Sequence, residues 1–254
     1  MTLLYDTQSL FQRSLTKLVR NPILLVTNLG TPVAFLLLFS QLFQKLGSFT
    51  GLSGNYLTFL TPGILIFVAV MNSPQSGVAI VNDLNSGFLS KILLTQVNRS
   101  AILLGRLLTD VTVVVVQSIL VIVLAVAMGV TISTGVPGVL LMLVMAALFE
   151  VALSGLFLVV GMRTRKNETI SALSGVVFFP LIFVSSAMFP SAFFPSWAQT
   201  FSRYNPVSYA SDVLRELVQG GLTWGAVVSA FLVIGAIAVA AFAATLYQFR
   251  RVVS

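Results

Sequence analysis

One carboxylate, Glu150, stands in the middle of a long apolar stretch, where its side chain could hold a proton, a cation or part of a substrate. An acid at the centre of a hydrophobic span costs at least ~2.5–3.5 kcal/mol on insertion, so it must face protein or a cavity, or carry a proton. The structural alternative is a hydrogen bond to a Ser or Thr of a neighbouring helix. Both interpretations stay open on the sequence.

Other chemistry is excluded by the residue types that are missing. The 254-residue sequence contains no His and no Cys, so it has no Ser–His dyad, no histidine or thiolate metal ligands and no disulfide. It also lacks a G-x-x-x-x-G-K-[ST] motif, so it does not bind ATP through a P-loop. We therefore expect a chain that performs no catalysis itself and holds no metal or cofactor.

The composition is that of a membrane protein. Hydrophobic residues make up 57% of the chain and charged residues only 8%, whereas a soluble domain carries about 25% charged residues. This excludes a soluble enzyme, a nucleic-acid-binding domain and a disordered chain. The net charge of +7 is interpreted as orientation information for a membrane protein.

Charge-free windows divide the sequence into six candidate spans. A helix needs about 20 apolar residues to cross a ~30 Å hydrocarbon core. Runs such as 111–116 and 140–148 are apolar on every side, which favours helices over the alternating strands of a β-barrel. The sequence thus predicts an all-α polytopic membrane protein, with spans near 23–43, 57–80, 107–128, 138–162, 169–190 and 226–248.

The positive charges predict the orientation of these spans. With both termini in the cytoplasm, eleven of the fourteen Lys and Arg residues lie on the cytoplasmic side. Only Lys45, Arg203 and Arg215 lie on the outer side. This asymmetry follows the positive-inside rule.

Residues 1–20 predict an amphipathic helix lying on the membrane. Its apolar face carries Leu4, Phe11, Leu15 and Leu18, and a second face carries Arg13, Lys17 and Arg20. The helix is either an ordinary juxtamembrane anchor or an elbow helix that transmits cytoplasmic motion to the first span.

The connection 81–106 is long enough to hold a short helix. Asp83 or Asn85 is placed to cap it, and its apolar face consists of Phe88, Leu89, Ile92 and Leu93. Such a helix either inserts this face into a soluble partner or lies on the membrane surface, and the residues alone favour neither.

This connection resembles the first cytoplasmic loop of type-two ABC exporter permeases, in particular the drug-resistance permeases. The matching positions are Asp83, Gly87, Thr95, Arg99, Leu103, Gly105, Arg106 and Asp110. Gln96 stands where the family usually has Pro. The resemblance implies coupling to an ATPase through Asp83, Gly87, Phe88, Leu89, Ile92, Leu93, Thr95 and Arg99.

The segment 191–225 is rich in aromatic residues, as expected at the level of the lipid headgroups. Ser211 and Asp212, with Glu216, are placed to cap a short helix. The segment and the residues before it match the family at Ser186, Phe189, Pro190, Pro195, Trp197, Asn205, Pro206, Asp212 and Arg215. The resemblance implies re-entrant helices that form an extracellular gate, and the alternative is a peripheral loop.

The second and fifth spans carry prolines, aromatic residues and methionine, which suit an adaptable apolar wall. The resemblance implies a substrate path at a dimer interface, for which the candidates are Met71, Asn72, Phe178, Phe179, Ile182, Phe183 and Glu150. Ordinary helix packing explains any one of these residues equally well.

Taken together, the resemblance implies a single permease domain, the membrane subunit of an ABC exporter in the plasma membrane of a bacterium or archaeon. Two copies, or one copy and a paralogue, would form the pore for an amphipathic, lipid-like, drug or lipid-linked substrate. Two separate P-loop ATPase subunits would bind ATP and Mg. Membrane lipids are expected partners and nucleic acid is not. The alternatives are a carrier or channel that works alone and a non-transporting membrane scaffold.

Overall fold

The computed structural model describes residues 3–43, 56–94, 97–220 and 224–253, and all the regular structure in these ranges is helical. Lys45 and Thr95 lie outside the described residues. In chain order the helices are α1 (Leu3–Val19), α2 (Pro22–Leu42), α3 (Tyr56–Asn85), α4 (Phe88–Leu93), α5 (Arg99–Ala127), α6 (Gly135–Thr164), α7 (Asn167–Phe183), α8 (Ser196–Tyr204), α9 (Pro206–Gln219) and α10 (Trp224–Val253). A 3₁₀ turn, Ser191–Phe193, precedes α8.

The predicted all-helical architecture is confirmed for these residues. Helices α3, α5, α6 and α10 are long and apolar enough to cross a membrane. Helix α7 is shorter, at 17 residues, and α2 has 21 residues. Each of the six predicted spans falls on one of these six helices.

Two predicted boundaries are wrong. The fifth span was expected to reach residue 190, but α7 ends at Phe183, because the side chain of Asn205, the residue before α9, donates to carbonyls in the last turn of α7. The third was expected to begin at residue 107, but α5 begins at Arg99, where the Asn98 side chain accepts the Ser100 N–H at 3.0 Å. A charge-free window detects the apolar part of such a helix and misses its polar first turns.

Helix α3 is the centre of the bundle. Nearly every side chain of its first half is buried, and it contacts α2, α5, α6, α7 and α9. Glycines allow the closest approaches between backbones: a Cβ on Gly63 would lie 1.8 Å from the Ala187 carbonyl oxygen, and one on Gly77 would lie 2.8 Å from that of Phe157. On α6, a Cβ on Gly155 would lie 3.1 Å from the carbonyl carbon of Ala241 in α10. In lipid, such backbone contacts replace the hydrophobic driving force between helices.

We predict that Gly63→Ala strongly destabilises the protein, because the new methyl group overlaps a backbone oxygen that cannot move without displacing residues 184–190. The matched control is Gly30→Ala in α2, where a Cβ meets nothing within 4 Å. There the change should be neutral or stabilising by up to about 1 kcal/mol, from helix propensity. Thermal unfolding midpoints of the purified protein in detergent check both results. Equal midpoints for the two variants would contradict the packing.

Candidate functional site

At one end of the bundle, α1 and the α3–α4 junction form a charged unit. Asp83, in the last turns of α3, pairs with Arg13 at 3.6 Å and with Lys17 at 3.8 Å, both from α1. The Arg13 guanidinium also lies over the Phe88 ring, 3.4 Å from its centroid. These contacts connect the predicted elbow helix to the predicted coupling helix. Arg20, the third basic residue predicted on α1, is exposed and stands outside this unit.

The apolar face of α4 points into the protein. Leu89 is 2% exposed, and Ile92 packs beside it against α3 and α5 residues of the same apolar cluster. Among the described side chains of α4 and the residue that follows it, those of Lys91 and Leu94 are exposed, and Leu94 is 90% exposed. The side chains of Leu93 and Arg99 lie outside what the structure describes.

Neither Asp83 nor Asn85 caps α4, because both belong to α3. Gly87 makes the turn between the two helices, and its backbone is in the left-handed region, with a φ of 67°. Helix α4 follows directly and has no side-chain cap. A residue with a Cβ is strained in that conformation, which explains why the turn needs glycine. The predicted importance of Gly87 thus has a backbone reason.

A contact that the sequence did not predict holds α1 against α5. The Asn98 N–H donates to the carboxylate of Asp6 at 3.1 Å, and Asp6 is buried. Further along α5, Gly105 lies so close to α1 that a Cβ on it would be 3.1 Å from the Thr7 carbonyl oxygen. The sequence feature that could have indicated this contact is Asp6 itself, because it is the only acid in Leu3–Val19, among basic, apolar and uncharged polar residues.

A polar cavity of about 430 Å³ opens beside this unit. Its wall includes Arg13 and Lys17 of α1, Asn72 of α3, and Arg106 and Asp110 of α5. Arg106 pairs with Asp110 at 2.8 Å. Asn72, predicted in the substrate path, donates to the Gln117 side chain at 2.6 Å and so joins α3 to α5.

An apolar cavity of about 400 Å³ lies between α3, α6 and α7. It brings together three of the predicted path residues, Met71, Phe178 and Phe179, and Phe178 stands edge-on to Phe179 at 5.8 Å. Phe183, stacked on Phe179 at 5.6 Å, is half-exposed on the adjoining surface of α7. Ile182 is fully buried and does not line this cavity.

Glu150 is fully buried in α6 and lines neither cavity. Its Oε1 contacts the hydroxyl of Ser154, one turn along the same helix. Ser154 in turn lies 3.2 Å from Ser76 of α3, which donates to Asp110. Among the described residues, Glu150 therefore bonds to a serine of its own helix, and its connection to the neighbouring helix α3 runs through that serine, Ser154.

At the opposite end of the bundle, Arg215 of α9 holds together two other segments. Its guanidinium donates to the carbonyl oxygens of Ser186 and Ala187, the latter at 2.9 Å, and to that of Phe59 at 3.1 Å. It also pairs with Asp212 at 2.6 Å and stacks on the Phe59 ring at 3.7 Å. Burial lowers the pKa of Arg215 to about 10, although Asp212 acts to raise it, so the group stays charged at neutral pH.

Asn205 supports the same irregular segment from its other side. Its amide nitrogen donates to the carbonyls of Leu181 at 3.1 Å and Val184 at 2.9 Å, at the end of α7. Its amide oxygen accepts the N–H of Val207 at 2.9 Å and so caps α9. The predicted cap at Ser211 and Asp212 is wrong, because α9 begins at Pro206 and both residues lie inside it.

The remaining residues predicted in this segment lie toward the surface. Pro195 directly precedes α8, Pro206 begins α9 and Pro190 precedes the 3₁₀ turn. Trp197 is 60% exposed and meets Phe201 edge-on at 6.4 Å, which gives α8 an aromatic outer face of the kind found at membrane interfaces.

Residues 5–218 match the model of a family described as ABC-2 type transporter. The chain belongs to the ABC-2 type transporter family. It is 29% identical to the daunorubicin resistance ABC transporter permease protein DrrB1 of Streptomyces coeruleorubidus, over 78% of this chain and 70% of the relative. It is 28% identical to ycf38 of Cyanophora paradoxa, named as a transport permease, over 85% and 76% of the two chains.

A further ABC-2 relative is DrrC of Mycobacterium tuberculosis, named as a doxorubicin resistance ABC transporter permease, at 22% identity over 86% of this chain and 79% of the relative. The matched range of the ABC-2 family covers α1 through most of α9. It therefore includes the charged unit, both cavities and the network around Arg215. The predicted resemblance is confirmed.

We predict that Arg215→Lys lowers the stability of this ABC-2 protein, because an ammonium group cannot reproduce a planar fork that contacts three carbonyls and a carboxylate. Each buried carbonyl left unpaired costs about 1–3 kcal/mol. The control, Arg203→Lys on exposed α8, should leave the thermal midpoint unchanged. A midpoint for Arg215→Lys equal to that of the control would show that Arg215 does not hold the segment.

Proposed function

We propose that this chain is the membrane subunit of an ABC exporter, with separate ATPase subunits supplying the energy. The observation that carries the proposal is the unit of Asp83, Arg13, Lys17 and Phe88, because it connects a short exposed helix to an amphipathic helix that leads into the first span. Force applied to α4 reaches α1 through these contacts. The family membership supports the same assignment.

In the proposed topology α2, α3, α5, α6, α7 and α10 are six spans, with both termini and α4 in the cytoplasm. The charge asymmetry supports this orientation, since most Lys and Arg residues fall at the α1–α4 end. Helix α7, with 17 residues, is shorter than the length that crosses the hydrocarbon core. After α7, the bonds from Asn205 and Arg215 satisfy the irregular backbone that continues toward the outer surface.

The ATPase docks on the exposed side of α4 and not on its apolar face. Leu89 is buried in the protein's own core, whereas Lys91 and Leu94 are exposed and, among the side chains that the structure describes here, can be reached by a partner. Asp83, Gly87 and Phe88 act by fixing the direction of α4. Two ATPase copies, each with its ATP and Mg, would dock on a pair of these permease chains.

The apolar cavity between α3, α6 and α7 is the candidate substrate path. Its lining by Met71, Phe178 and Phe179 suits an amphipathic or lipid-like molecule and offers no charge to an inorganic ion. Two of the relatives are named for resistance, one to daunorubicin and one to doxorubicin, which supports a drug-like substrate. The exposed side of α7, with Val176, Phe179 and Phe183, is available to a second copy or a paralogue.

We predict that Leu94→Asp weakens association with the proposed ATPase subunit, because a desolvated carboxylate replaces an exposed apolar contact. Leu94→Met is the matched control, since it keeps an apolar side chain of similar volume. Co-purification and ATP hydrolysis in lipid vesicles measure the effect. If Leu94→Asp co-purifies and hydrolyses ATP like Leu94→Met, α4 is not the docking surface.

The proposed topology predicts labelling from opposite sides at two exposed positions. The chain is free of Cys, so single-cysteine variants need no background removal. Thr200→Cys on α8 should react with a membrane-impermeant maleimide in intact cells, and Lys166→Cys, between α6 and α7, should react only after lysis. The reverse pattern, or labelling of both in intact cells, would rule out the six-span orientation.

A further inference from the structure

A line of four oxygen-bearing side chains crosses the bundle from Glu150 to the polar cavity. Glu150 and Ser154 lie on α6, Ser76 on α3 and Asp110 on α5, and each contacts the next. Glu150 and Ser154 are fully buried, and so is Ser76. At its far end Asp110 lines the cavity together with Arg106. The proposed function makes no use of this line.

The number of hydrogen atoms on the line fixes a protonation state. Three contacts join the four groups, and each contact needs one hydrogen atom. The two serine hydroxyls supply two, so the third must come from a carboxyl group. Asp110 accepts from Arg106 at 2.8 Å and 3.2 Å, which is the arrangement of an ionised carboxylate. The third hydrogen therefore belongs to Glu150.

The surroundings of Glu150 agree with a neutral acid. Its second oxygen, Oε2, is buried and has no hydrogen-bond partner among the described residues. A carboxylate oxygen without a partner is far more costly at this depth than the carbonyl oxygen of a neutral acid. The charged groups that act on Glu150 are Asp110 and Arg106, both from α5, while α3 faces it with Ser76. On the α10 side, Thr245 bonds the Gly155 carbonyl at 3.0 Å.

We infer that Glu150 is a proton-binding site inside the bundle and that Ser154, Ser76 and Asp110 connect it to the polar cavity. If each hydrogen moves one place along the line, the proton leaves Glu150 and arrives on Asp110. Glu150 is then ionised, Asp110 is neutral and both hydroxyl groups are unchanged. A water molecule in the cavity takes the proton from Asp110. In the proposed topology the cavity is on the cytoplasmic side.

The line also depends on how the helices pack. Ser154 and Ser76 belong to α6 and α3, and their contact of 3.2 Å exists only while these helices touch at Gly77 and Gly161. A movement that separates α3 from α6 would cut the route and trap the proton on Glu150. The site is independent of the ATPase assignment, because it is defined by residues of this chain alone.

Infrared spectroscopy of the purified chain in lipid vesicles tests the proton directly. The difference spectrum between the parent protein and Glu150→Gln at neutral pH should contain the C=O band of a protonated carboxylic acid. A difference spectrum with only carboxylate bands would overturn the proton assignment.

Transfer into D₂O tests the route. The Glu150 band should shift promptly in the parent protein and severalfold more slowly in Ser76→Ala, which removes one hydroxyl from the line. Ser73→Ala is the matched control, because Ser73 is equally buried on α3 but bonds only the Val70 carbonyl. Ser154→Ala should slow the exchange as Ser76→Ala does. It replaces Ser76→Ala in this test if Ser76→Ala does not fold. Exchange as fast in these variants as in Ser73→Ala would refute the route.

Discussion

The absence of water from the bilayer core governs this structure: every polar group placed among the apolar helices must find its partner within the protein. The chain meets this constraint with very few charges. At one end Arg215 and Asn205 donate to the carbonyls of a backbone that has left its helix. At the other end the acids Asp6 and Asp83 bind α1 to the rest of the bundle. The partly exposed pairs of Asp83 contribute little to stability, so we assign them to positioning.

The same constraint separates the molecule into regions with different tasks. The contacts of Arg215 and Asn205 lie where segments change direction, and close glycine contacts hold the straight parts of α3, α6 and α10 together. Between them, the cavity beside Phe178 and Phe179 is free of charge, which suits the movement of an amphipathic molecule. The proposed path lies beside one of these close contacts, because Phe157, which Gly77 approaches, also lines the cavity.

The sequence predicts much of the helical architecture because the absence of charge is a local property. It does not predict where α7 ends, since the residue that ends it, Asn205, lies more than twenty positions later. The direction of α4 was missed for a similar reason: the periodicity of Phe88, Leu89 and Ile92 shows an apolar face but not which neighbour covers it. The resemblance pointed to Asp83 and Arg215, but their partners, Arg13 and the carbonyls of residues 186 and 187, are set by tertiary packing. Glu150 was noticed from its isolation, while the serines connecting it to Asp110 have no signal in the sequence.

The central claim is that this chain moves its substrate only when a separate ATPase drives it. The most direct measurement reconstitutes the purified chain in lipid vesicles, with and without the proposed ATPase subunit, and follows the fluorescence of doxorubicin and of a labelled lipid across the bilayer. The account predicts movement that requires both proteins and hydrolysable ATP. Movement that is equally fast with this chain alone would contradict it, and would identify a carrier or channel instead.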